Sequence, residues 1–230
     1  MTSDRSLAFR GLKIFLIGFI IFSLSYSLFL DQRQLRLGWD NDLRKQLPFK
    51  DLLAMEEGRP SSGPDLNKYL RYFQSLTQGH DSQPDSHAMI GFCYYHLGQA
   101  DKALTAYQKA VSLKPDFLFF QYDLGVIYLE QGQYRQALES FKKALETRPQ
   151  DNVRYLRGSK IFVYMIYRAG SLEPSLGERL KRGYGLSAYL ASLCFDKLGD
   201  APNALLFRQE AITMGVDDQP RVIKPGLYIF

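Results

Sequence analysis

The sequence has few residues of the types that carry out most covalent and metal chemistry. Of its 230 residues only two are cysteine and three are histidine. It also lacks a phosphate loop, a Gly-x-Ser-x-Gly elbow, a CxxC pair and an HExxH motif. We therefore expect a protein that is not an enzyme and that needs no cofactor and no metal ion.

Two cysteines are too few for a disulfide framework. Cys93 and Cys194 each directly precede an aromatic residue, and we expect both to be small buried thiols. Four polar residues near position 84 could be considered as metal ligands, but they surround a Gln-Pro turn, and an ordinary polar loop is the simpler interpretation. These residues are His80, Asp81, Asp85 and His87.

The sequence also lacks a strong charge of one sign. Its 29 basic and 24 acidic residues leave a net charge of +5, which is too mild to indicate a nucleic-acid partner. The basic residues are nevertheless concentrated between positions 152 and 185. A solvated face and a contact with anionic lipid headgroups or an acidic partner both explain such a patch. The basic patch consists of Arg154, Arg157, Lys160, Arg179, Lys181 and Arg182.

One long apolar run is present, at residues 14–30. Its 17 residues would rise about 25 Å as a helix, and 12 of them are Leu, Ile or Phe. These side chains favour insertion by about −4 to −7 kcal/mol. The run predicts a single-pass N-terminal membrane anchor within 1–31, although a cleaved signal peptide and a core helix remain open. More basic residues follow the run than precede it, so the side of the remaining chain stays undecided.

A pattern of seven positions occurs twice, and the same spacing separates every pair. Its first copy has glycine, alanine and aromatic residues ending in a proline, and its second copy repeats each type. The pairs are Gly91 and Gly125, Tyr94 and Tyr128, Gly98 and Gly132, Ala103 and Ala137, Tyr107 and Phe141, Ala110 and Ala144, and Pro115 and Pro149.

This spacing and these residue types resemble the tetratricopeptide repeat, whose period is about 34 residues. The resemblance implies an all-α fold, a short tetratricopeptide-like α-solenoid, here with an N-terminal transmembrane helix. Each unit would be a first helix, a tight turn and a second helix. Within one unit Gly91 would face Ala103, and the aromatic residues, Tyr107 among them, would fill the space between units.

The domain organisation follows from these patterns. We expect a basic flank and anchor at 1–31, a juxtamembrane segment and hinge at 32–64, a lead-in helix capped by Asp65 at 65–83, repeats at 84–217 and a tail at 218–230. Within the repeats, 84–117 and 118–151 are clear, 152–184 is degenerate and 185–217 follows the pattern with substitutions. In the degenerate unit we expect a helix from Asp151 towards Arg168 and a short helix at 178–182.

The resemblance also implies a binding groove, because the first helices of this family line a concave face. On this chain the lining is apolar and aromatic, which suits an extended peptide or an amphipathic helix. Alternatively, the N-terminal helix or the C-terminal tail of the same chain fills the groove. The groove residues are Ala88, Phe92, Tyr95, Tyr122, Val126, Leu129, Tyr189 and Leu193.

These features together predict a membrane-anchored scaffold or assembly factor that binds a protein partner through its repeats. One alternative is a permanent structural subunit of a membrane protein complex. Another is a processed, soluble helper, which would follow if the leading segment were removed.

Overall fold

A computed structural model describes residues 65–77, 83–159 and 173–217, together with the single positions Leu52 and Ile161. All of these lie in the unit Phe49–Phe230, whereas every residue of the unit Met1–Pro48 lies outside the described part. The described ranges contain helices and no strand, which confirms the all-α prediction. The helices are α1 (Leu66–Leu76), α2 (Pro84–His96), α3 (Ala100–Leu113), α4 (Leu118–Glu130), α5 (Tyr134–Glu146), α6 (Pro149–Gly158), α7 (Glu173–Lys197) and α8 (Ala201–Thr213).

No helix in these ranges has the length and apolar character of a membrane span. The predicted anchor, residues 14–30, lies outside the described residues. The same is true of the tail at 218–230 and of the predicted hinge segment at 32–64, apart from Leu52.

Three helical hairpins share one turn. Gly98 joins α2 to α3, Gly132 joins α4 to α5, and Gly199 joins α7 to α8, with φ values of +72°, +72° and +81°. This left-handed conformation strains any residue that has a Cβ. In each turn the residue after the glycine donates its backbone N–H to the carbonyl oxygen four residues before the glycine, at 2.9, 2.8 and 2.9 Å. The third hairpin therefore repeats the turn geometry of the first two.

Within the first two hairpins the helices approach each other at a glycine. A Cβ added to Gly91 would lie 2.8 Å from the ring of Tyr107, and one added to Gly125 would lie 2.6 Å from the ring of Phe141. The side chain nearest to Gly91 is therefore that of Tyr107, whereas the sequence predicted Ala103 opposite this glycine. Tyr107 and Phe141 are fully buried.

The third hairpin has different residues at the positions that form this contact. Ser192 stands at the position of the glycine and is fully buried, donating its hydroxyl to the carbonyl oxygen of Tyr189 at 2.7 Å. Arg208 stands where the aromatic ring would be, and its guanidinium binds Asp196 at 2.6 Å. The register of the third hairpin thus pairs a serine with an arginine in place of the glycine and aromatic ring of the first two.

Helix α1 has the character of a second helix whose unit precedes the first hairpin. Its Gln74 donates to the hydroxyl of Tyr94 at 3.0 Å, and one repeat period later Gln108 donates to the hydroxyl of Tyr128 at 2.9 Å. The helix begins as predicted, with the Asp65 carboxylate accepting the N–H of Lys68 at 3.1 Å. The hydrogen bond between glutamine and tyrosine is thus a link between consecutive units.

The degenerate segment differs from its prediction. Helix α6 begins at Pro149, because a proline in the first turn needs no N–H partner, and it ends at Gly158 instead of continuing towards Arg168. The short helix predicted at 178–182 is also wrong, since α7 runs unbroken from Glu173 to Lys197. A glycine inside α7 has a packing role. A Cβ on Gly183 would lie 2.9 Å from Phe119 and 3.0 Å from Leu118.

Helix α7 packs along the second hairpin, whereas α6 contacts this hairpin at the start of α4. Residues of α4 and α5, including Val126 and Phe141, share one buried cluster with Ala188, Ala191 and Cys194 of α7. Along the chain, the turns at Gly132 and Gly199 are separated by almost two repeat periods, so nearly one period of sequence is inserted between the second and third hairpins. The stack therefore continues directly from the second hairpin to the third, and the segment with α6 is placed elsewhere.

Candidate functional site: the first helices and the inserted segment

Helix α6 packs across the N-terminal ends of the earlier first helices. The Asn152 side chain accepts the N–H of Leu118, the first residue of α4, at 2.9 Å. The ring of Tyr155 packs on Phe117 with centroids 4.5 Å apart. These contacts supply α4 with a capping acceptor that its own sequence lacks.

Asn152 is also the centre of a buried hydrogen-bond network. Its amide nitrogen donates to the Thr147 hydroxyl at 2.9 Å and to the Tyr184 hydroxyl at 2.8 Å. Tyr184 in turn donates to the carbonyl oxygen of Thr147 at 2.8 Å. The network ties the end of α5, the start of α6 and the first half of α7 together.

A buried carboxylate joins α6 to α2. Asp85 is only 3% exposed and accepts hydrogen bonds from the hydroxyls of Tyr155 and Ser159. Burial raises the pKa of Asp85, and the hydrogen bonds from Ser159 and Tyr155 oppose that rise. The interpretation of Asp85 as a loop residue is wrong, because it lies in the first turn of α2. Its partners come 70 and 74 residues later, so no local pattern could have revealed them.

A polar cavity of about 650 Å³ lies between the start of α2 and α6. Its cations are matched by carboxylates: Lys114 lies 2.6 Å from Asp116, and Arg148 and Arg154 lie 2.6 and 3.6 Å from Asp151. Exposed pairs of this kind contribute little to stability, and their opposite signs cancel. The cavity therefore has no charge of one sign to select a ligand.

The predicted groove residues divide into two groups in the structure. Phe92 is 1% exposed, and four others are buried as well: Ala88, Tyr122, Val126 and Tyr189. Tyr122, Val126 and Tyr189 belong to the cluster shared by α4, α5 and α7. Because these side chains contact their own chain, truncating any of them would disturb the core.

The second group consists of groove residues that are half-buried. These are Tyr95, Leu129 and Leu193. Leu129 and Leu193 pack at the margin of the same cluster, and the Tyr95 hydroxyl donates to a carboxylate oxygen of Glu130 at 2.6 Å. Burial, with Glu130 nearby, raises the pKa of Tyr95, so its hydroxyl stays protonated near neutral pH.

The structure places the basic patch on two helices. Arg154 and Arg157 are exposed on α6, and Lys181 and Arg182 are exposed on α7. Arg179 is half-buried, and Lys160 lies outside the described residues.

The cysteines agree with the prediction of buried thiols. Cys93 and Cys194 are free and fully buried, and burial raises the pKa of each thiol to about 12. Among the described residues, no three His, Cys, Asp or Glu side chains are grouped as metal ligands.

Comparison with known proteins identifies the first two hairpins. Two models of the tetratricopeptide repeat match the sequence, one over residues 91–132 and the other over residues 120–151. Both matches include Gly125 and the turn at Gly132. Residues 91–151 therefore consist of tetratricopeptide repeats.

Several solved structures are similar at low identity. A MamA structure matches with 14% identity and a TM-score of 0.46 over 65% of this chain, which spans 63% of the MamA chain. The N-terminal domain of stress-induced protein-1 from C. elegans matches with 16% identity and a TM-score of 0.42, over 58% of this chain and 85% of that one. The tetratricopeptide domain of P58(IPK) matches with 19% identity and a TM-score of 0.36, over 80% and 51%. No curated protein matches the sequence.

Proposed function

We propose that this protein is a membrane-tethered scaffold that holds a partner protein on the exposed part of its first-helix face. The observation that carries the proposal is the stack of three hairpins with one turn geometry, because tetratricopeptide repeats are scaffolds for protein partners. The apolar run at residues 14–30 supports the tether. Tethering raises the local concentration of whatever the repeats bind.

The half-buried residues Tyr95, Leu129 and Leu193 are the part of the predicted groove that a partner could reach without unfolding the stack. They offer apolar and aromatic surface with one hydroxyl, which suits a peptide or an amphipathic helix with apolar side chains of its own. Phe92 and Tyr122 are poor probes of binding. Truncating a buried aromatic residue costs about 3–5 kcal/mol, so lost binding would reflect lost structure.

Site-specific photo-crosslinking tests the surface. A photoreactive phenylalanine analogue replaces Tyr95 in one variant and Leu129 in a second, and membranes are irradiated before detergent extraction. The matched control carries the analogue at Leu113, which is apolar and 40% exposed but lies on a second helix. We expect the same adduct from both groove positions and none from the control. Adducts of equal yield at all three positions would rule out this face as the partner-binding surface.

The tether is tested separately. After carbonate washing, the protein should stay with the membrane pellet, and the intact mass should include residues 14–30. A mass that lacks this segment would instead favour the processed, soluble helper. A permanent structural subunit would be unstable when produced without its neighbours, whereas a recruiting scaffold should fold alone.

The basic patch provides a further contact under the same proposal. We expect the exposed pair on α7 to approach anionic headgroups of the membrane. The double variant Lys181→Glu and Arg182→Glu should weaken salt-sensitive binding of the protein to vesicles that contain phosphatidylserine. The control is Lys142→Glu with Lys143→Glu, an equally exposed pair on α5. If both double variants bind equally well, the patch is a solvated face.

A further inference from the structure

The last helix of the stack has an apolar face that faces solvent. Leu205 is 70% exposed, Leu206 is 61% exposed and Ile212 is 44% exposed. All three lie on α8, and Leu198, 40% exposed, lies in the turn that precedes it. Exposed leucines are ordinary singly, but several on one helix mark a contact surface.

The repeat register shows what such a face does elsewhere in the molecule. Leu205 and Ile212 of the third hairpin correspond to Leu138 and Leu145 of the second hairpin. The residues of each pair are as far apart in the sequence as Gly199 is from Gly132. Leu138 and Leu145 are half-buried and pack against the cluster that α7 forms with α5. On α8, therefore, the exposed leucine and isoleucine occupy positions that receive the next helix of the stack in an interior unit.

The sequence directly after α8 is poorly suited to provide that next helix. Pro220, Pro225 and Gly226 fall within a few residues of one another, and each disfavours a helix interior. After the first hairpin, by contrast, the next helix of the stack begins five residues after the end of the second helix. The residues that directly follow α8 are therefore poor candidates for this slot, and a helix from a second molecule suits it.

The charges on α8 favour an identical face as the occupant. Its charged side chains are Arg208 and Glu210, and Arg208 is engaged by Asp196 at 2.6 Å. A face built from Leu205, Leu206 and Ile212 can meet its own copy without opposing like charges. A twofold contact of this kind closes on itself and stops at a dimer.

We propose that α8 is a self-association surface, through which two copies of this chain pair by packing Leu205 and its neighbours against the same residues of the second copy. Leu205 and Ile212 are two helical turns apart, so two α8 helices can align along this seam. The pairing buries the end of each stack.

Disulfide trapping in the full chain tests the pairing. A cysteine at Leu205 would lie near the twofold axis, and the native Cys93 and Cys194 are fully buried and should remain silent. Under mild oxidation in detergent, we expect the Leu205→Cys variant to form a covalent dimer. The matched control, Leu113→Cys, is also exposed but lies on α3 and should stay monomeric.

Sedimentation provides the second measurement. We expect a wild-type dimer and a monomeric Leu205→Asp variant with unchanged helicity, because position 205 is exposed. The Leu113→Asp variant should remain a dimer. A wild-type monomer would overturn the proposal. Maleimide labelling of Leu205→Cys would then show whether the α8 face is open or is covered by the tail. Rapid labelling would mean that the face is open to a different protein, and labelling only after removal of residues 218–230 would mean that the tail covers it.

Discussion

Replacing Gly125 by alanine should destabilise the protein, although alanine is the better helix former. The added Cβ would lie 2.6 Å from the ring of Phe141, which is fully buried in the cluster shared with α7. Overpacking of this kind costs about 1–3 kcal/mol, whereas the helical preference of alanine returns about 0.5–1 kcal/mol. We expect a net loss of about 0.5–2 kcal/mol in the free energy of unfolding.

The matched control for this variant is Gly177→Ala in α7. Gly177 is exposed and a Cβ there would meet no atom within 4 Å, so the variant should be stabilised by about 0.5–1 kcal/mol. Urea denaturation followed by circular dichroism measures both. Combining Gly125→Ala with Phe141→Leu should cost less than the sum of the two single changes, because the smaller side chain relieves the contact. If both alanine variants shift the midpoint equally in the same direction, the close contact does not exist.

Three further predictions follow from the buried polar groups and thiols. Asn152→Ala should lower the free energy of unfolding by about 1–3 kcal/mol, because the buried N–H of Leu118 loses its acceptor. Urea denaturation measures this loss beside the control Asn203→Ala, which loses only a local side-chain bond to Asp200. Burial raises the folded-state pKa of Asp85. Its contribution to the free energy of unfolding is therefore fully present below the ordinary pKa of about 4, and this contribution is lost as the pH rises through the raised pKa. The stability of the wild type relative to Asp85→Asn should therefore fall between mild acid and neutral pH, and parallel curves would contradict this. Cys93 and Cys194, with the pKa of each raised to about 12, should react with a thiol reagent only after unfolding, which a native and denatured labelling series checks.

The regular units could be predicted because their determinants lie close together in the sequence. The helix, the left-handed turn at Gly98 and the second helix are set by residues within one repeat period, and the same types recur at Gly132. The burial of both cysteines was predicted from their positions in the same repeat register. The link between Gln74 and Tyr94 could also have been found, since Gln108 and Tyr128 repeat it, but polar residues were not included in the pattern.

The candidate site could be predicted only in part. The groove residues were chosen from the register of the first helices, and Tyr122, Val126 and Tyr189 do come together. Whether a groove residue faces a partner or its own core depends on α7, which covers part of this face. The sequence contained no sign of that, because the insertion before the covering helix is nearly one repeat period long and the register therefore predicts a degenerate unit there.

Local sequence is enough to specify the repeating helical hairpin, its glycine turns and the apolar surfaces that stack one unit on the next. These depend on backbone conformation and on spacing along a single helix, both of which act over a few residues. The tertiary structure alone decided that α7 follows the second hairpin in the stack, that α6 packs across the N-terminal ends of the first helices, and that Asp85 is buried against Tyr155 and Ser159. Those outcomes depend on contacts between residues 34 to 74 positions apart, and such contacts are selected by shape and hydrogen bonding as the chain folds.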